Sequence, residues 1–487
     1  MKKILHVVWL ILGCFFLFMG CHPENSSDKS LQVSENGRYL EYSDGTPFLY
    51  LGCTAWELFH ALNREEATLY LQNRAEKGFT VIQAVVLAEL DGLNTPNAYG
   101  EKPLIENDPA RPNEKYFEHV DFIVRKAGEL GLFIGMLPTW GDKVPSENQA
   151  TGPIVFNKEN ARVYGAFLGK RYKDESILWI LGGDRNVQDD HVYQTWEAMA
   201  EGLKSGDEGR HLITMHPRGE KSSSEWFHNA SWLDFNMYQS GHARHFNPVY
   251  AFAEHDYLLH PAKPFVDGEP AYEDIAVLFW EFCDWNSPLR VPAQVLDSNL
   301  LVKDPSHFQK GFFTDFDVRV HAYWNLLSGA AGYTYGNNAL WQMFRKKGTF
   351  AIPALYDWQE SLDRPGADDI RHIRRLFEAR DFSKLIPDQS VLYGNNPGDS
   401  THVRAAVAAD ASFLIAYLSV GQPVRIVMNK IAGSSVKASW YDPREGKVTP
   451  AGEHKNEGIQ WFTPPSSGSG NDWILVLEDA AKSLPVL

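Results

Sequence analysis

The sequence predicts an α/β fold, a (β/α)8 TIM barrel followed by a small all-β sandwich domain. Three observations carry that expectation. Between residues 49 and 335, eight short apolar runs alternate with stretches of helical length. The runs are apolar at consecutive positions, so both faces must be covered, as happens in a parallel sheet layered with helices. No Gly-x-Gly-x-x-Gly opens a helix after the first run, which removes the best evidence for an open dinucleotide-binding sheet and favours a closed barrel.

Taken in order, Ser43-Asp44-Gly45-Thr46 marks a hairpin turn between Arg38–Tyr42 and Pro47–Tyr50. Leu49–Cys53 is the first expected barrel strand, and its helix, Glu65–Lys77, is closed by Gly78. Thr80–Leu87 follows, then a loop rich in Gly and Pro, the helix Tyr116–Leu130 and its stop at Gly131. The third strand, Leu132–Leu137, runs into Pro138-Thr139-Trp140-Gly141 before the helix Lys158–Tyr172. Ile177–Leu181, helix Asp190–Lys204 and His211–Met215 continue the alternation, with Leu233–Tyr238 sixth and the helix Val249–Leu259 after it. Pro264–Asp267 is the seventh strand, and a helix near Asp317–Ser328 leads to the eighth, Ala331–Tyr335. Two more helices are expected at Ala354–Leu362 and Asp368–Arg380. From about Leu385 the texture changes to short alternating strands, His402–Val407, Ser412–Leu418, Val424–Val427, Val436–Tyr441 and Trp473–Leu477, the pattern of a β-sandwich.

The first residues read as an export signal: Met1-Lys2-Lys3, an apolar run from Ile4 to Met19, then Gly20-Cys21. The run is shorter than the ~20 residues that cross a bilayer. Leu17-Phe18-Met19-Gly20-Cys21 resembles a lipobox, in which Cys21 is acylated and becomes the mature N-terminus. The expected division is therefore a lipoprotein signal peptide at 1–20, a tether at 21–34, the catalytic barrel at 35–383 and the sandwich at 384–487. Such a chain is exported and held at the cell envelope by its lipid, on an outer-membrane, surface or periplasmic face. The formal net charge of −16 repels phosphate backbones and speaks against a nucleic-acid partner. With Cys21 acylated, Cys53 and Cys283 remain outside the signal, enough for one disulfide at most. No Cys/His spacing suggests a metal site, and no cofactor is implied.

Active sites of this barrel gather at the C-terminal ends of the strands. Reading those ends gives Thr54-Ala55-Trp56-Glu57, then Gln83 and Glu89, then Thr139-Trp140. Gly182-Gly183-Asp184-Arg185-Asn186, His216-Pro217-Arg218 and Tyr238-Gln239-Ser240-Gly241-His242 follow. The last two ends are Gly268-Glu269-Pro270-Ala271-Tyr272-Glu273 and Tyr335-Gly336-Asn337-Asn338. Asp184 and Glu269 are the expected catalytic pair, because glycoside hydrolysis needs one neutral and one ionised carboxyl across the scissile bond. Glu273 is the rival of Glu269, and Asp267, two residues before Glu269, is placed to set its charge. Trp56, Gln83, Trp140, Asn186, His216, Gln239, His242, Tyr272 and Tyr335 are the candidate substrate-binding residues. The 15 Trp residues fit either a large core or rings stacked on sugar faces.

Together, Thr54-Ala55-Trp56, Val81-Ile82-Gln83, Leu181-Gly182-Gly183-Asp184-Arg185-Asn186, Gln239-Ser240-Gly241-His242, Gly268-Glu269-Pro270-Ala271-Tyr272-Glu273 and Tyr333-Thr334-Tyr335-Gly336 resemble the apiosidase-like glycoside hydrolases. The resemblance spans roughly residues 35–480. It implies an exported barrel enzyme with a C-terminal β-sandwich labelled as collagen-binding, acting on oligosaccharide or polysaccharide. It also implies an acid/base at Asp184 and a nucleophile at Glu269. Some members release the branched sugar apiose from pectin. Clans of larger barrel glycosidases carry Asn-Glu at the fourth strand where this chain has Gly-Gly-Asp. The competing expectation is a non-catalytic glycan-binding lipoprotein on a degenerate barrel, whose signature would be loss of one carboxylate. Protease chemistry lacks a Ser/His/Asp order or an HExxH motif.

Overall fold

The computed structural model describes residues 30–145, 153–281, 310–348 and 350–487. The signal, Cys21 and Cys283 lie outside these residues. The barrel strands are β1 (Tyr50–Thr54), β2 (Val81–Leu87), β3 (Phe133–Thr139), β4 (Ile177–Gly182), β5 (Ile213–His216), β6 (Asn236–Gln239), β7 (Phe265–Asp267) and β8 (Gly332–Tyr335). Each pairs in parallel with its neighbour from β5 back to β1, and on through β8 and β7 to β6. The β5–β6 seam is closed without a regular ladder. There Asp234 N–H donates to Ile213 O at 2.9 Å and Thr214 Oγ1 to Phe235 O at 2.7 Å. Asp234 Oδ2 in turn accepts from Ile213 N–H at 2.8 Å. A short strand, Lys221–Ser222, runs antiparallel to β6 at that seam.

The longer helices are α1 (Arg64–Glu76), α2 (Glu114–Glu129), α3 (Lys158–Tyr172), α4 (Asp190–Gly206), α5 (Val249–Tyr257), α6 (Asp315–Leu326) and α7 (Pro365–Ala379). Their starts follow from local chemistry: Asn63 and Asn157 close capping boxes, and Asp189 accepts from Val192 N–H. Side-chain alternation along the strands divides the core in two. Val81 and Val85 of β2, Leu178 and Ile180 of β4, Met237 of β6 and Val266 of β7 belong to the cluster inside the barrel. Ile82, Ala84, Val86, Ile177, Trp179, Leu181, Tyr333 and Tyr335 belong to the layer between strands and helices. Among the described residues no helix is long and apolar enough to cross a membrane. Cys53 is a buried free thiol, held near Tyr70 Oη.

The expected helix at Ala354–Leu362 does not form. Trp358 N–H turns back to Phe344 O at 2.9 Å, and only a 3-10 turn over Glu360–Asp363 remains. Residues 385–479 form a six-stranded antiparallel sheet faced by the pair Val424–Val427 and Ile459–Phe462. Strands Leu31–Val33, Lys447–Lys455 and Ile459–Phe462 were not expected; Lys447–Lys455 is exposed along most of its length and shows no apolar alternation.

The sheet domain is fastened to the barrel by a buried arginine. Arg319 of α6 donates to both carboxylate oxygens of Asp472, at 2.9 and 3.1 Å, and to Asp369 and Asp315 at 2.7 and 2.6 Å. Tyr417 Oη also donates to Asp472, and its ring stacks on Tyr323 at 4.8 Å. Removing one partner of such a cluster leaves like charges buried together. Arg319→Ala is expected to lower unfolding stability by about 3–5 kcal/mol. Urea unfolding followed by tryptophan fluorescence measures this, and an unchanged midpoint would show that the arginine does not hold the junction.

Candidate active site

The end of β4 is a backbone that few side chains tolerate. Gly182, Gly183 and Asp184 have φ of +85°, +121° and +48° in succession. A Cβ on Gly182 would sit 2.2 Å from His216 O, and one on Gly183 2.6 Å from the Trp140 ring. The glycines let the chain turn against β3 and β5, and Asp184 accepts the left-handed conformation at a cost of order 1–2 kcal/mol. Strain of this kind concentrates at functional sites. The Asp184 side chain stays 37% exposed, and its Oδ2 lies 3.5 Å from Arg185 Nη1.

At the end of β7, Asp267 turns outward, away from the barrel axis. It accepts from Ser240 Oγ at 2.6 Å and from Asn325 Nδ2 of α6 at 2.9 Å. Gly268 is held from both sides, its N–H donating to Tyr238 O at 2.8 Å and its carbonyl accepting from Gln83 Nε2 at 2.9 Å. The next residue, Glu269, is buried with His242 Nε2 3.1 Å from Oε1 and His216 Nε2 3.2 Å from Oε2. Tyr272 N–H donates to His242 Nδ1 at 3.3 Å. That bond makes Nδ1 an acceptor and puts the proton of a neutral ring on Nε2, facing the carboxylate.

Rings wall the same space. Trp56 and Trp140 lie 5.2 Å apart, with His216 at 5.5 and 6.1 Å from them. The Tyr272 ring packs edge-on to His242 at 4.6 Å and against Gly336, where a Cβ would come within 1.9 Å of it. Trp140 Nε1 and Gln239 Oε1 are buried polar atoms with no hydrogen-bond partner among the described residues. They are free to serve a ligand.

The two carboxyls are driven apart electrostatically. Burial alone would raise the pKa of Glu269, yet the two imidazoles pull it down to about 2. Desolvation raises Asp184 to about 6; Arg185 opposes the rise, while the charges of Glu269 and Glu89 add to it. Asp184 and Glu269 thus feel one another, with His216 acting on both. At mildly acidic pH one is a proton donor and the other an anion. Burial and the neighbouring Glu89 raise Glu57 to about 8.

Two expectations are corrected. Tyr335 points into the helix layer and donates to Glu273 Oε2 at 2.7 Å, so it does not face the cleft. Glu273 is no rival to Glu269: it accepts from Tyr335 and from Gly366 N–H at the start of α7, and burial raises it to about 7. Gln83 points into the barrel, its Nε2 donating to Gly268 O at 2.9 Å while its buried Oε1 has no hydrogen-bond partner among the described residues. Asn186 Oδ1 accepts from Arg218 N–H at 3.2 Å and ties the loops after β4 and β5 together. Sequence reasoning missed Asp142 and Lys143. Lys143 Nζ, almost wholly buried, donates to Ala88 O at 2.6 Å and Asp142 Oδ1 at 2.7 Å, joining the loops after β2 and β3. Lysines are so seldom buried that nothing in the sequence marks this one. Among the described residues no cluster of three or more His, Cys, Asp or Glu could hold a metal ion.

Glycoside hydrolysis needs one neutral and one ionised carboxyl, and this barrel holds two oppositely shifted ones at the ends of β4 and β7. The comparisons with known proteins place the chain among the glycoside hydrolases. Residues 34–384 match the family model described as apiosidase-like, catalytic domain, and the chain belongs to that family. Residues 386–478 match a domain model named for collagen binding by a collagenase. A solved glycoside hydrolase is 34% identical with a TM-score of 0.80, the match covering 94% of this chain and 98% of that one. A glycoside hydrolase family 5 protein from Bacteroides vulgatus ATCC 8482 is 32% identical with a TM-score of 0.80, covering 94% of each chain. No curated protein matches the sequence.

The two tyrosines separate by experiment. Tyr272→Phe removes a buried hydroxyl near Glu269 that has no hydrogen-bond partner among the described residues and is free to bond the reacting sugar. It is expected to cut turnover about tenfold to a hundredfold, the range of a hydrogen bond to a charged group. Tyr335→Phe is expected to cost about 1 kcal/mol of stability while turnover stays within about twofold. Steady-state kinetics beside thermal unfolding reads both, and a turnover loss confined to Tyr335→Phe would reverse the assignment.

Proposed function

We propose that the chain is a retaining glycosidase that cleaves a glycosidic bond in pectic or related plant polysaccharide fragments. The observation that carries this reading is the opposite displacement of two carboxyls at the barrel mouth. A group held near pKa 2 is a poor base at any working pH but remains an anion throughout, which suits a nucleophile. A group near 6 can give a proton and later take one, which suits the acid/base. An inverting enzyme would instead need its second carboxylate to deprotonate water.

In the first step Glu269 attacks the anomeric carbon as the bond to the leaving oxygen breaks, and Asp184 passes its proton to that oxygen. The sugar is left as an ester of Glu269. In the second step Asp184, now ionised, takes a proton from water as the water oxygen attacks the same carbon, and Glu269 departs as a carboxylate. His216 and His242 hold the charge of Glu269 before attack and after release. The rings of Trp56, Trp140 and Tyr272 offer faces for the sugar, and Trp140 Nε1 and Gln239 offer hydrogen bonds. The pectic assignment rests on the apiosidase-like family, whose name points to the branched sugar apiose.

Glu269→Gln and Asp184→Asn are each expected to lower kcat/KM by about a thousandfold or more, with the fold intact by circular dichroism. Release of sugar from a panel of pectic oligosaccharides, followed by chromatography and mass, tests this; near-normal activity in either variant removes that residue from the mechanism. The first anomer formed, seen by NMR, should keep the configuration of the substrate.

The reaction needs Asp184 protonated and Glu269 ionised. Activity should therefore hold below about pH 6 and fall about tenfold per pH unit above it, as Asp184 loses its proton. His242→Ala removes one of the imidazoles that lower Glu269, so the acidic limb of kcat/KM should move to higher pH. An acidic limb that stays in place would separate His242 from the charge of Glu269. We also propose that acylated Cys21 holds the enzyme at the cell envelope. Metabolic labelling with a radioactive fatty acid should mark the wild type and be absent from Cys21→Ser.

A further inference from the structure

The C-terminal sheet domain carries an exposed aromatic strip that the barrel chemistry does not use. In the pair Val424–Val427 and Ile459–Phe462, Val424, Ile426 and Phe462 point into the domain core. Alternation then places Arg425, Val427, Ile459 and Trp461 on the outer face. Arg425 and Trp461 are direct cross-strand partners, and the guanidinium sits 5.3 Å from the Trp461 ring centroid. On its other side Tyr393, whose N–H donates to Arg425 O, lies 4.6 Å from the same guanidinium. The order along the surface is ring, guanidinium, ring. Trp461 is 65% exposed and Tyr393 48%, whereas most other tryptophans of the described residues are buried.

We propose that this strip is a docking site for an acidic, uronic-acid-bearing polysaccharide chain. Flat aromatic faces on a sheet surface match the C–H faces of pyranose rings, which lie on them without a pocket. The planar guanidinium, held between the rings, can take a sugar carboxylate through two parallel N–H bonds. Among the described residues Arg425 has no carboxylate partner, unlike Arg444 on the same domain, which pairs with Asp442. The complementarity is local: a chain of net charge −16 repels a polyanion over most of its surface, and an unneutralised guanidinium flanked by bare rings reverses that at one place. The site is independent of the bond the barrel cleaves.

Affinity electrophoresis of the full mature chain in native gels tests this, with polygalacturonate or a neutral β-glucan cast into the gel. The Glu269→Gln background prevents cleavage during the run. Polygalacturonate is expected to retard the chain, and Trp461→Ala or Arg425→Glu should each weaken that retardation at least about fivefold, with Trp461→Phe retaining most of it. Raised salt should weaken binding, since the carboxylate contact is screened. In the otherwise native chain, Trp461→Ala should process a short soluble oligosaccharide at an unchanged rate. Retardation that survives Trp461→Ala, equal retardation by the neutral glucan, or none by polygalacturonate would overturn the proposal. So would Trp461-dependent binding to collagen fibrils, or a Trp461-dependent dimer in sedimentation. Binding is read without turnover, so its failure and failure of the glycosidase reading are told apart.

Discussion

The site depends on keeping one buried carboxylate charged. At this end of the barrel burial pushes Glu57 up to about 8, Asp267 and Asp184 to about 6 and Glu273 to about 7. Glu269, more enclosed than Asp184, goes the other way, because His216 at the end of β5 and His242 in the loop after β6 approach its two oxygens. An anion desolvated without such partners would take up a proton instead. The ionised Glu269 then contributes to keeping Asp184 protonated, so a single pair of contacts sets both halves of the acid–anion pair.

Those contacts demand backbone precision, which the neighbouring residues supply. His216 reaches Glu269 from the last residue of β5, and its own carbonyl receives Gly183 N–H at 3.0 Å. The turn that presents Asp184 is therefore bonded to the residue that steadies Glu269. Gln83 reaches from β2 to Gly268, one residue before the anion. Geometry at β4 and at β7 is coupled through one backbone bond, Gly183 to His216, and the contact of the same residue's imidazole with Glu269.

Much of this was legible in the sequence. The eight strands announced themselves by apolar runs, and the polar residues after them marked the rim, including Asp184 and Glu269. What stayed hidden was which way each side chain points. A strand buried on both faces has no polar alternation to reveal its inner side, so Tyr335 looked like its neighbours His216 and Gln239 although it faces the helix layer. The rivalry of Glu273 was undecidable for a related reason, since its partners come from β8 and from the start of α7, far along the chain. Lys447–Lys455 went unread because its exposed side chains carry no hydrophobic period, and its pairing is fixed by Ser435–Asp442.

The sheet domain also bears on the barrel mouth. Helix α6 holds Arg319, clamped by Asp472 of the sheet domain, and six residues on it holds Asn325. Asn325 donates to Asp267, which with Ser240 fixes the end of β7 two residues before Glu269. At about 1.5 Å rise per residue the two anchor points on α6 are roughly 9 Å apart, close enough for the helix to act as one rigid lever. A sheet domain that binds nothing would still set the position of α6, and through it the loop that carries the anion. Domain junction and Glu269 are thus joined by the two Arg319–Asp472 hydrogen bonds, one helix and the Asn325–Asp267 hydrogen bond, which gives the second domain a mechanical reason to sit beside the first.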